Sequence, residues 1–392
     1  MISKLQANRV RRSYLGGSRI DAFCGEGGEC SQFPMPIVDN PPAPRPENWL
    51  ASTTQAFNGT QEIEGEGLGR LEDGRLVRDA VGALPILVKL LDSDERLVVQ
   101  AHPTVPCAER LFHSPVGKTE CWYFLPGTAP DACVYLGFKP GITRAAWEQA
   151  VRECSQFSNE QLPIVDNPLL SFLHRIPVAP GDFVFVDGGV PHAIGGGCFM
   201  VELQEPSDLM VVAERFTPSG RRIPDSKMHG GAGWERMFDV YEYDGRSFEE
   251  TCARYVRKCS QSFANDNCPQ SFANPHCSQI TNVNTNLCAS VPLCEQNNPV
   301  NPVPKNLCAS VSRCEQTSRI CGPEFTDKFE MWRLDGGGSV ALGGAPAVVV
   351  VTEGGGSLNG LPVRRGDRLV AAGEPVLAAG GSLSASVCFR RR

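Results

Sequence analysis

The sequence predicts an all-β-dominated protein that folds as a barrel or a sandwich. Its 40 glycines and 31 prolines divide the chain into short apolar runs. These runs are rich in Val, Phe and Tyr and are bounded by Gly, Pro or Asp, which is the pattern of short strands joined by turns. In chain order they read PILVKLL, RLVVQA, ECWYFL, ACVYLGF, GDFVFVD, CFMVELQ, AVVVVTEG, DRLVAAG and SASVCF.

Helix signals are fewer. Residues 143–152 begin with a Thr that can cap a helix. Residues 247–256 begin with S-x-E-E, a capping residue followed by acidic residues in the first turn. We therefore expect a few helices beside the predicted strands.

Charge and composition argue against several classes of partner. A net charge of −7 and a pI near 5.5 do not suit a surface for nucleic acid or anionic membranes. No run approaches the ~20 apolar residues of a membrane helix, and the basic N-terminal segment lacks the apolar core of a secretory signal. We expect a cytoplasmic protein, with a monomer as the default state. A small anionic substrate stays compatible, because a basic pocket can lie inside an acidic surface.

Repeated polar segments interrupt the predicted strands. Residues 29–41 and 153–168 share the pieces ECSQF and PIVDNP, and related pieces recur between residues 258 and 316. Eight of the 17 cysteines lie between residues 259 and 321, without the CxxC spacing that indicates a zinc site. We interpret the repeats as loop insertions and residues 259–321 as a disordered insertion.

Four side chains form a candidate metal site on the predicted strands. Gln100 and His102 are two residues apart, so on a strand they project from the same face. Glu120 enters a second strand, and a turn at residues 187–189 leads to His192 at the start of a third. One amide, two imidazoles and one carboxylate suit zinc or a similar divalent ion. The Q-x-H pair alone is weak evidence, since a strand histidine is more often an ordinary polar residue.

Around these residues the sequence resembles the class I (zinc-dependent) phosphomannose isomerases, or mannose-6-phosphate isomerases. The resemblance rests on RLVVQAHPT, GKTECWY and GDFVFVDGGVPHAIGGGCFMVELQEPSDLMV, in order and spacing, and extends to NRVRRSYLGG, PENWLASTTQAFN and GWERMFDVYEYDG. It implies a cupin (RmlC-like jelly roll) barrel followed by a smaller cupin-like β domain. The expected parts are a metal-binding catalytic cupin at residues 1–225, a helical connection at 226–258, the insertion at 259–321 and the C-terminal β domain at 322–392.

The resemblance also implies an activity. The family interconverts mannose 6-phosphate and fructose 6-phosphate through a cis-enediol. One Zn²⁺ per chain, with Mn²⁺ or Fe²⁺ as alternatives, would be held by Gln100, His102, Glu120 and His192. The metal would act as an electrophile, and a base would move the carbon-bound proton.

Two residues are candidates for that proton transfer. Lys118 lies two residues before Glu120, so strand alternation places it beside the metal, where it could act as a base or bind the substrate phosphate. Glu202 lies ten residues after His192 and would share its face if the strand were unbroken.

A catalytic arginine is harder to place. The resemblance puts it at Val212, and Arg215 lies three residues further on. A shift of three residues reverses the strand face unless a bulge intervenes. We keep Arg215 as the candidate for this role.

Four further residues are candidates for substrate binding. Lys89 is an isolated charge in the apolar run ILVKLL, eleven residues before Gln100, where the resemblance implies an active-site lysine. Glu47 and Trp49 match an E-x-W pattern whose tryptophan would wall the sugar pocket, and Ser52 follows in the same segment. Without the resemblance, a lone tryptophan would be expected to fill the core.

Two other functions fit a metal-binding cupin. One is an oxygenase that binds iron through a similar mixed set of ligands. The other is a non-catalytic cupin that binds sugars. A further possibility is an inactive relic whose repeats prevent folding.

Overall fold

The computed structural model describes residues 1–25, 44–58, 63–156, 167–258 and 316–391. The repeat at residues 29–41 lies outside the described residues, as do residues 157–166 of the second repeat and residues 259–315 of the cysteine-rich segment. Within the described ranges, no helix is long and apolar enough to span a membrane.

Two antiparallel sheets build the part of the chain that contains Gln100, His102, Glu120 and His192. The larger sheet contains, in spatial order, Val256–Arg257 (β13), Phe183–Val186 (β9), Glu120–Phe124 (β6), Cys198–Gln204 (β11), Leu87–Ser93 (β4), Glu47–Leu50 (β3) and Arg9–Val10 (β2). The smaller sheet contains Val211–Val212 (β12), Gln100–Ala101 (β5), His192–Ile194 (β10), Cys133–Phe138 (β7) and Leu173–Pro177 (β8).

The two sheets share one apolar core. Trp122 and Phe199 of the larger sheet belong to the same buried cluster as Val134 and Ile194 of the smaller one. Strands β4 and β11 are buried along their whole length, which explains why their sequences are nearly continuous apolar runs. The architecture therefore agrees with the predicted barrel or sandwich.

A third antiparallel sheet shares part of its core with the larger one. Its strands are, in order, Ile2–Lys4 (β1), Arg368–Ala371 (β19), Ala347–Leu358 (β17), Val376–Phe389 (β20), Glu330–Asp335 (β15) and Thr317–Cys321 (β14), with Ser339–Ala341 (β16) paired to β20 and Leu361–Arg364 (β18) paired to β17. Met331, Val350 and Cys388 of this sheet join the core cluster that contains Trp122. Other apolar side chains of the sheet, among them Leu334, Val349 and Val387, form a separate core.

Helices are short and lie at the edges of the sheets. They are Ser18–Cys24 (α1), Val77–Val81 (α2), Val105–Phe112 (α3), Arg144–Gln156 (α4), Asp225–Met228 (α5) and Phe248–Tyr255 (α6), with 3-10 turns at Pro168–Phe172 and Met237–Asp239. Both sequence signals for helices are confirmed. The Thr143 hydroxyl accepts the Ala146 N–H at 3.2 Å, and Ser247 and Glu250 form a reciprocal capping box.

Two boundaries differ from the sequence expectation. The C-terminal sheet includes β1 from the start of the chain, because residues 2–4 pair with residues 369–371. It also includes β14, which pairs with β15, although residues 317–321 had been assigned to the insertion. The partner of β1 lies near the other end of the chain, so local pattern could not reveal that pairing.

We expect deletion of residues 260–314 to leave folding and activity largely intact. The described residues on either side supply the three sheets and every residue of the candidate site, and β14 begins only at Thr317. Thermal unfolding and activity of the deletion variant test this prediction. A longer deletion of residues 260–321 is the matched comparison, because it removes β14 and should lower the melting temperature. Loss of fold in the shorter deletion would show that residues 260–314 are structural.

Candidate metal centre and substrate cleft

The four predicted ligands come together between the two sheets. Gln100 and His192 lie opposite each other on the paired strands β5 and β10. His102 follows β5 directly, and Glu120 is the first residue of β6 in the other sheet. All four side chains are buried, with exposures of 8% or less. The short strands and the turns before them therefore bring these four side chains close together.

Both imidazoles present a lone pair to the same point. Nδ1 of His102 lies 3.0 Å from the Leu209 carbonyl oxygen, and Nδ1 of His192 lies 2.9 Å from the Val190 carbonyl oxygen. A carbonyl only accepts, so each Nδ1 carries the proton and each Nε2 is left as an acceptor. Burial, with a contribution from Lys118, lowers the pKa of His102 to about 3. Burial also lowers the pKa of His192, so both rings are neutral near pH 7.

The Glu120 carboxylate completes this group of acceptors. Its oxygens lie 3.3 Å from Nε2 of His102 and 3.4 Å from Nε2 of His192. Burial alone would raise the pKa of Glu120, but the Lys118 ammonium, 3.1 Å from its carboxylate, holds it well below its usual range. Among the described residues, Oε2 of this carboxylate receives no hydrogen bond of acceptable geometry.

These donor atoms fit a divalent metal ion. The ligand atoms of His102, Glu120 and His192 all lie within 4.8 Å of one another. Gln100 Nε2 lies 3.3 Å from His192 Nε2, and a half-turn of the amide brings its oxygen to the same position. Two imidazole lone pairs and a carboxylate face one another here, and a divalent cation between them would satisfy all three. The chemistry of the set is that of a zinc-type site with room for further ligands.

Lys118 is the cation nearest this group. Its Nζ lies 2.9 Å from Nε2 of His102 and 3.1 Å from Oε2 of Glu120. Lys118 precedes β6, which begins at Glu120, and lies beside the predicted ligands.

A narrow cleft opens beside the centre. The polar side chains of its lining form what we call the polar wall: Arg12, Ser13, Tyr14, Glu47, Lys89, Gln100, Lys118, Glu120, Glu202, Asp208 and Lys227. The apolar side chains of its lining are Leu91, Leu97, Val98, Ile194, Met210, Val212 and Ile223. A more open groove lies elsewhere, between Met1, Ala83 and Arg391, and contains none of the predicted site residues.

Glu47 organises the polar wall. It accepts hydrogen bonds from the Tyr14 hydroxyl at 2.8 Å and from Trp49 Nε1 at 2.7 Å. It also pairs with Arg12 at 3.1 Å and with Lys89 at 3.6 Å. Burial would raise the pKa of Glu47, but Arg12 and Lys89 together lower it far below the ordinary range. Glu47 is therefore a fixed negative charge that holds two cations in the cleft.

The Trp49 ring contacts two cations of the same network. Its ring lies 4.9 Å from the Arg12 guanidinium and 5.2 Å from Lys89 Nζ, both measured to the ring centroid. The ring itself is fully buried and does not line the cleft. Trp49 thus positions the cations of the wall.

Glu202 and Lys89 face each other across paired strands, with 3.3 Å between Lys89 Nζ and the carboxylate. Burial raises the pKa of Glu202 to about 8. Burial alone would lower the pKa of Lys89, but Glu202 and Glu47 together raise it. These two shifts assume opposite charge states of Glu202. We take Lys89 as charged through Glu47, whose negative charge is secured by Arg12, and Glu202 as the group that retains a proton near neutral pH.

We expect Glu202→Gln to remove a pH dependence of stability from the metal-free protein. The folded protein holds a proton on Glu202 up to about pH 8, whereas an unfolded glutamate loses it near 4.5. The protonated carboxyl contributes fully below about pH 4.5, and this contribution declines as the pH rises to about 8. The free energy of unfolding of the wild type should therefore fall by at least about 1 kcal/mol relative to the variant over this window.

Urea unfolding of chelator-treated protein at several pH values measures this difference. Glu249→Gln, which changes an exposed carboxylate on α6, is the control. Parallel stability profiles of wild type and Glu202→Gln would contradict the assignment of a proton to Glu202.

The expected route by which Glu202 reaches the site needs correction. Glu202 does not share a continuous strand with His192, because the two belong to β11 and β10 in different sheets. Glycines 195–197 break the run between them. Glu202 still reaches the cleft, but through the larger sheet, where it lies opposite Trp122 and Lys89.

Arg215 and Ser52 lie away from the cleft lining. Arg215 pairs with Asp225, and its guanidinium lies over the Trp234 ring. Ser52 is buried and bonds to the Thr54 backbone. Val212, the position expected for an arginine, lies opposite Gln100 and lines the cleft as an apolar residue. We carry neither Arg215 nor Ser52 into the proposed reaction.

Four cleft residues had no role in the sequence analysis: Arg12, Tyr14, Asp208 and Lys227. Arg12 and Asp208 form a buried pair at 3.1 Å across 196 positions of the chain. Their signal was the presence of Arg12 and Tyr14 in NRVRRSY and of Asp208 in QEPSDLMV, inside motifs that carried the resemblance. Lys227 had no such signal.

Comparison with known proteins finds sequence relatives for part of this chain, although no family model matches. The mannose-6-phosphate isomerase ManA of Bacillus subtilis is 33% identical over 132 residues, which are 32% of this chain and 35% of the relative. The mannose-6-phosphate isomerase of Streptococcus mutans is 34% identical over 125 residues, 32% of this chain and 34% of the relative. The match thus spans about a third of the length of these relatives.

Similar solved structures cover nearly the whole chain. The mannose 6-phosphate isomerase from Bacillus subtilis superposes with a TM-score of 0.60 at 16% identity and covers 99% of both chains. The apo form of the Salmonella typhimurium enzyme gives a TM-score of 0.60 at 14% identity, covering 100% of this chain and 99% of that one. The predicted cupin fold is therefore confirmed. The predicted resemblance is confirmed as well: this chain has the fold of the mannose-6-phosphate isomerases and is related to them in sequence over about a third of its length.

Proposed function

We propose that this protein is a metal-dependent aldose–ketose isomerase that interconverts mannose 6-phosphate and fructose 6-phosphate through a cis-enediol. The observation that carries the proposal is the buried Gln100, His102, Glu120 and His192 set at the side of a cleft. The partial sequence relationship to named mannose-6-phosphate isomerases supports the same reaction.

We propose Zn²⁺ as the resident ion, because mixed imidazole and carboxylate donors with an amide suit zinc. When bound, it would supply an electrophile for the oxygens at the first two carbons of the sugar. The Nδ1 hydrogen bonds of both histidines would fix their rings and keep their lone pairs directed at the ion.

The proton transfers fall to residues of the polar wall. Glu202 retains a proton near neutral pH and lies in the cleft, so it can exchange a proton with a sugar oxygen. If His102 and Glu120 directed their lone pairs to a metal, Lys118 Nζ would lose its hydrogen-bond acceptor on His102 and its ion-pair partner Glu120, and would be free to face the substrate. We propose Lys118 as the carrier of the carbon-bound proton.

Substrate orientation falls to the network around Glu47. Glu47 and Trp49 hold the Lys89 ammonium in the cleft, where it can donate to sugar oxygens. The apolar side chains of the lining reduce the water around these groups, which strengthens the charged contacts.

A coupled assay tests the reaction. Metal-loaded protein is incubated with mannose 6-phosphate, and fructose 6-phosphate formation and oxygen uptake are followed together. We expect fructose 6-phosphate without oxygen uptake. Oxygen uptake without fructose 6-phosphate would identify an oxygenase, and neither change would indicate a non-catalytic cupin.

A further inference from the structure

One cation of the cleft, Lys227, belongs neither to the metal centre nor to the network around Glu47. It lies on the short helix α5, which Met228 anchors in an apolar cluster with Val98, Val212 and Ile223. The Lys227 side chain lines the cleft, and the residue is only 8% exposed. The fold thus holds an ammonium group in a confined position.

Lys227 lacks the partner that each of the other cleft cations has. Arg12, Lys89 and Lys118 each pair with at least one carboxylate within 4.0 Å. Among the described residues, no carboxylate lies within that distance of Lys227 Nζ, which donates a single hydrogen bond, 3.1 Å long, to the Phe57 carbonyl. An ammonium has three N–H donors, so two are left for a ligand.

The backbone of Phe57 links this ammonium to Asp208. The Phe57 N–H donates to Asp208 at 2.8 Å, and the carbonyl of the same residue accepts from Lys227. Burial, with Arg12 nearby, lowers the pKa of Lys227 to about 8. A buried ammonium with so few partners is unfavourable unless something negative binds to it.

The charges of the cleft indicate what that ligand is. Its lining contains four cationic side chains and four carboxylic acids, one of which, Glu202, keeps a proton near neutral pH. A divalent metal would increase the positive excess. A phosphate monoester, which carries nearly two negative charges at neutral pH, balances this excess better than a single carboxylate.

We propose that Lys227 binds the phosphate group of the substrate and so selects phosphorylated sugars. The assignment rests on the proposed function for the identity of the sugar, but not for the binding of phosphate. Lys227 is a binding residue in this account, and the proton transfers are left to Lys118 and Glu202.

Inorganic phosphate is the probe, titrated calorimetrically into the metal-loaded protein. We expect Lys227→Met to weaken phosphate binding by about tenfold or more, since hydrogen bonds to charged groups contribute strongly. The KM for mannose 6-phosphate should rise by a similar factor while kcat changes little. Lys227→Arg keeps the charge and should retain most of the binding.

Lys139→Met is the matched control, because Lys139 also donates to one backbone carbonyl, that of Ser171, but lies outside the cleft lining. Lys227→Gln replaces the methionine variant if that variant melts early. Unchanged phosphate binding in these variants would overturn the assignment and show that phosphate binds the metal or another cation. Phosphate binding that depends on Lys227 in a protein without isomerase activity would refute the proposed reaction but leave this assignment standing.

Discussion

Replacing His192 by alanine is expected to abolish both metal retention and isomerase activity. The ring supplies one of the two imidazole lone pairs of the centre, and its Nε2 lies 3.4 Å from the Glu120 carboxylate. Even partners that only orient a ligand cost about 10–100-fold in metal affinity, so loss of the ligand itself should cost more than about 100-fold. Metal content after dialysis and turnover of mannose 6-phosphate measure the two effects.

His174→Ala is the matched control for this variant. His174 is also a buried histidine on the smaller sheet, and its Nε2 bonds to the Arg246 carbonyl at 2.8 Å, far from the ligand set in sequence and in role. It should keep its metal. Equal metal loss in both variants would mean that loss of any buried histidine destabilises the fold enough to release the metal. Full metal retention in His192→Ala would show that His192 is not a metal ligand.

Replacing Lys118 by methionine is expected to lower kcat by about 10²–10⁴-fold, the usual contribution of a positioned proton carrier. Metal content should stay near that of the wild type, because the lysine occupies acceptor atoms that a metal would take. Steady-state kinetics together with metal analysis separate the two effects.

Lys118→Arg distinguishes the two roles considered for this lysine. An arginine keeps the positive charge but does not release its proton. If Lys118 carries a proton, the arginine variant should be nearly as slow as the methionine variant. If Lys118 only binds phosphate, the arginine variant should retain most of the activity, and the assignment of proton transfer would be wrong.

The grouping of Gln100, His102, Glu120 and His192 could be predicted from local patterns together with the family resemblance. The Q-x-H alternation places Gln100 and His102 on one face, and the turns before Glu120 and His192 begin new strands. The strands were predictable for the same reason, because short apolar runs bounded by Gly and Pro are typical of buried strands. The two helix caps at Thr143 and Ser247 are equally local signals.

Long-range pairing was not predictable from such patterns. Arg12 and Asp208 meet across 196 positions, and nothing near either residue specifies the other. Pairing of β1 within the C-terminal sheet likewise depends on a distant partner. The position of Lys227 depends on how Met228 packs, which no periodic pattern reports over a four-residue helix.

Strand continuity was the other source of error. The assumption that His192 and Glu202 share one strand failed at glycines 195–197, where the chain passes from the smaller to the larger sheet. Arg215 lies only three residues beyond Val212, but it pairs with Asp225 instead of reaching the cleft. In both cases the number of residues between two positions was used to predict whether their side chains lie on the same face of a sheet. That inference holds only within an unbroken strand.

The most direct test of the account is the metal content of the purified protein measured beside its isomerase activity. We predict close to one divalent ion per chain, loss of mannose 6-phosphate turnover when a chelator removes it, and recovery when Zn²⁺ or Mn²⁺ is restored. Full turnover by protein without bound metal would contradict the central role given to Gln100, His102, Glu120 and His192.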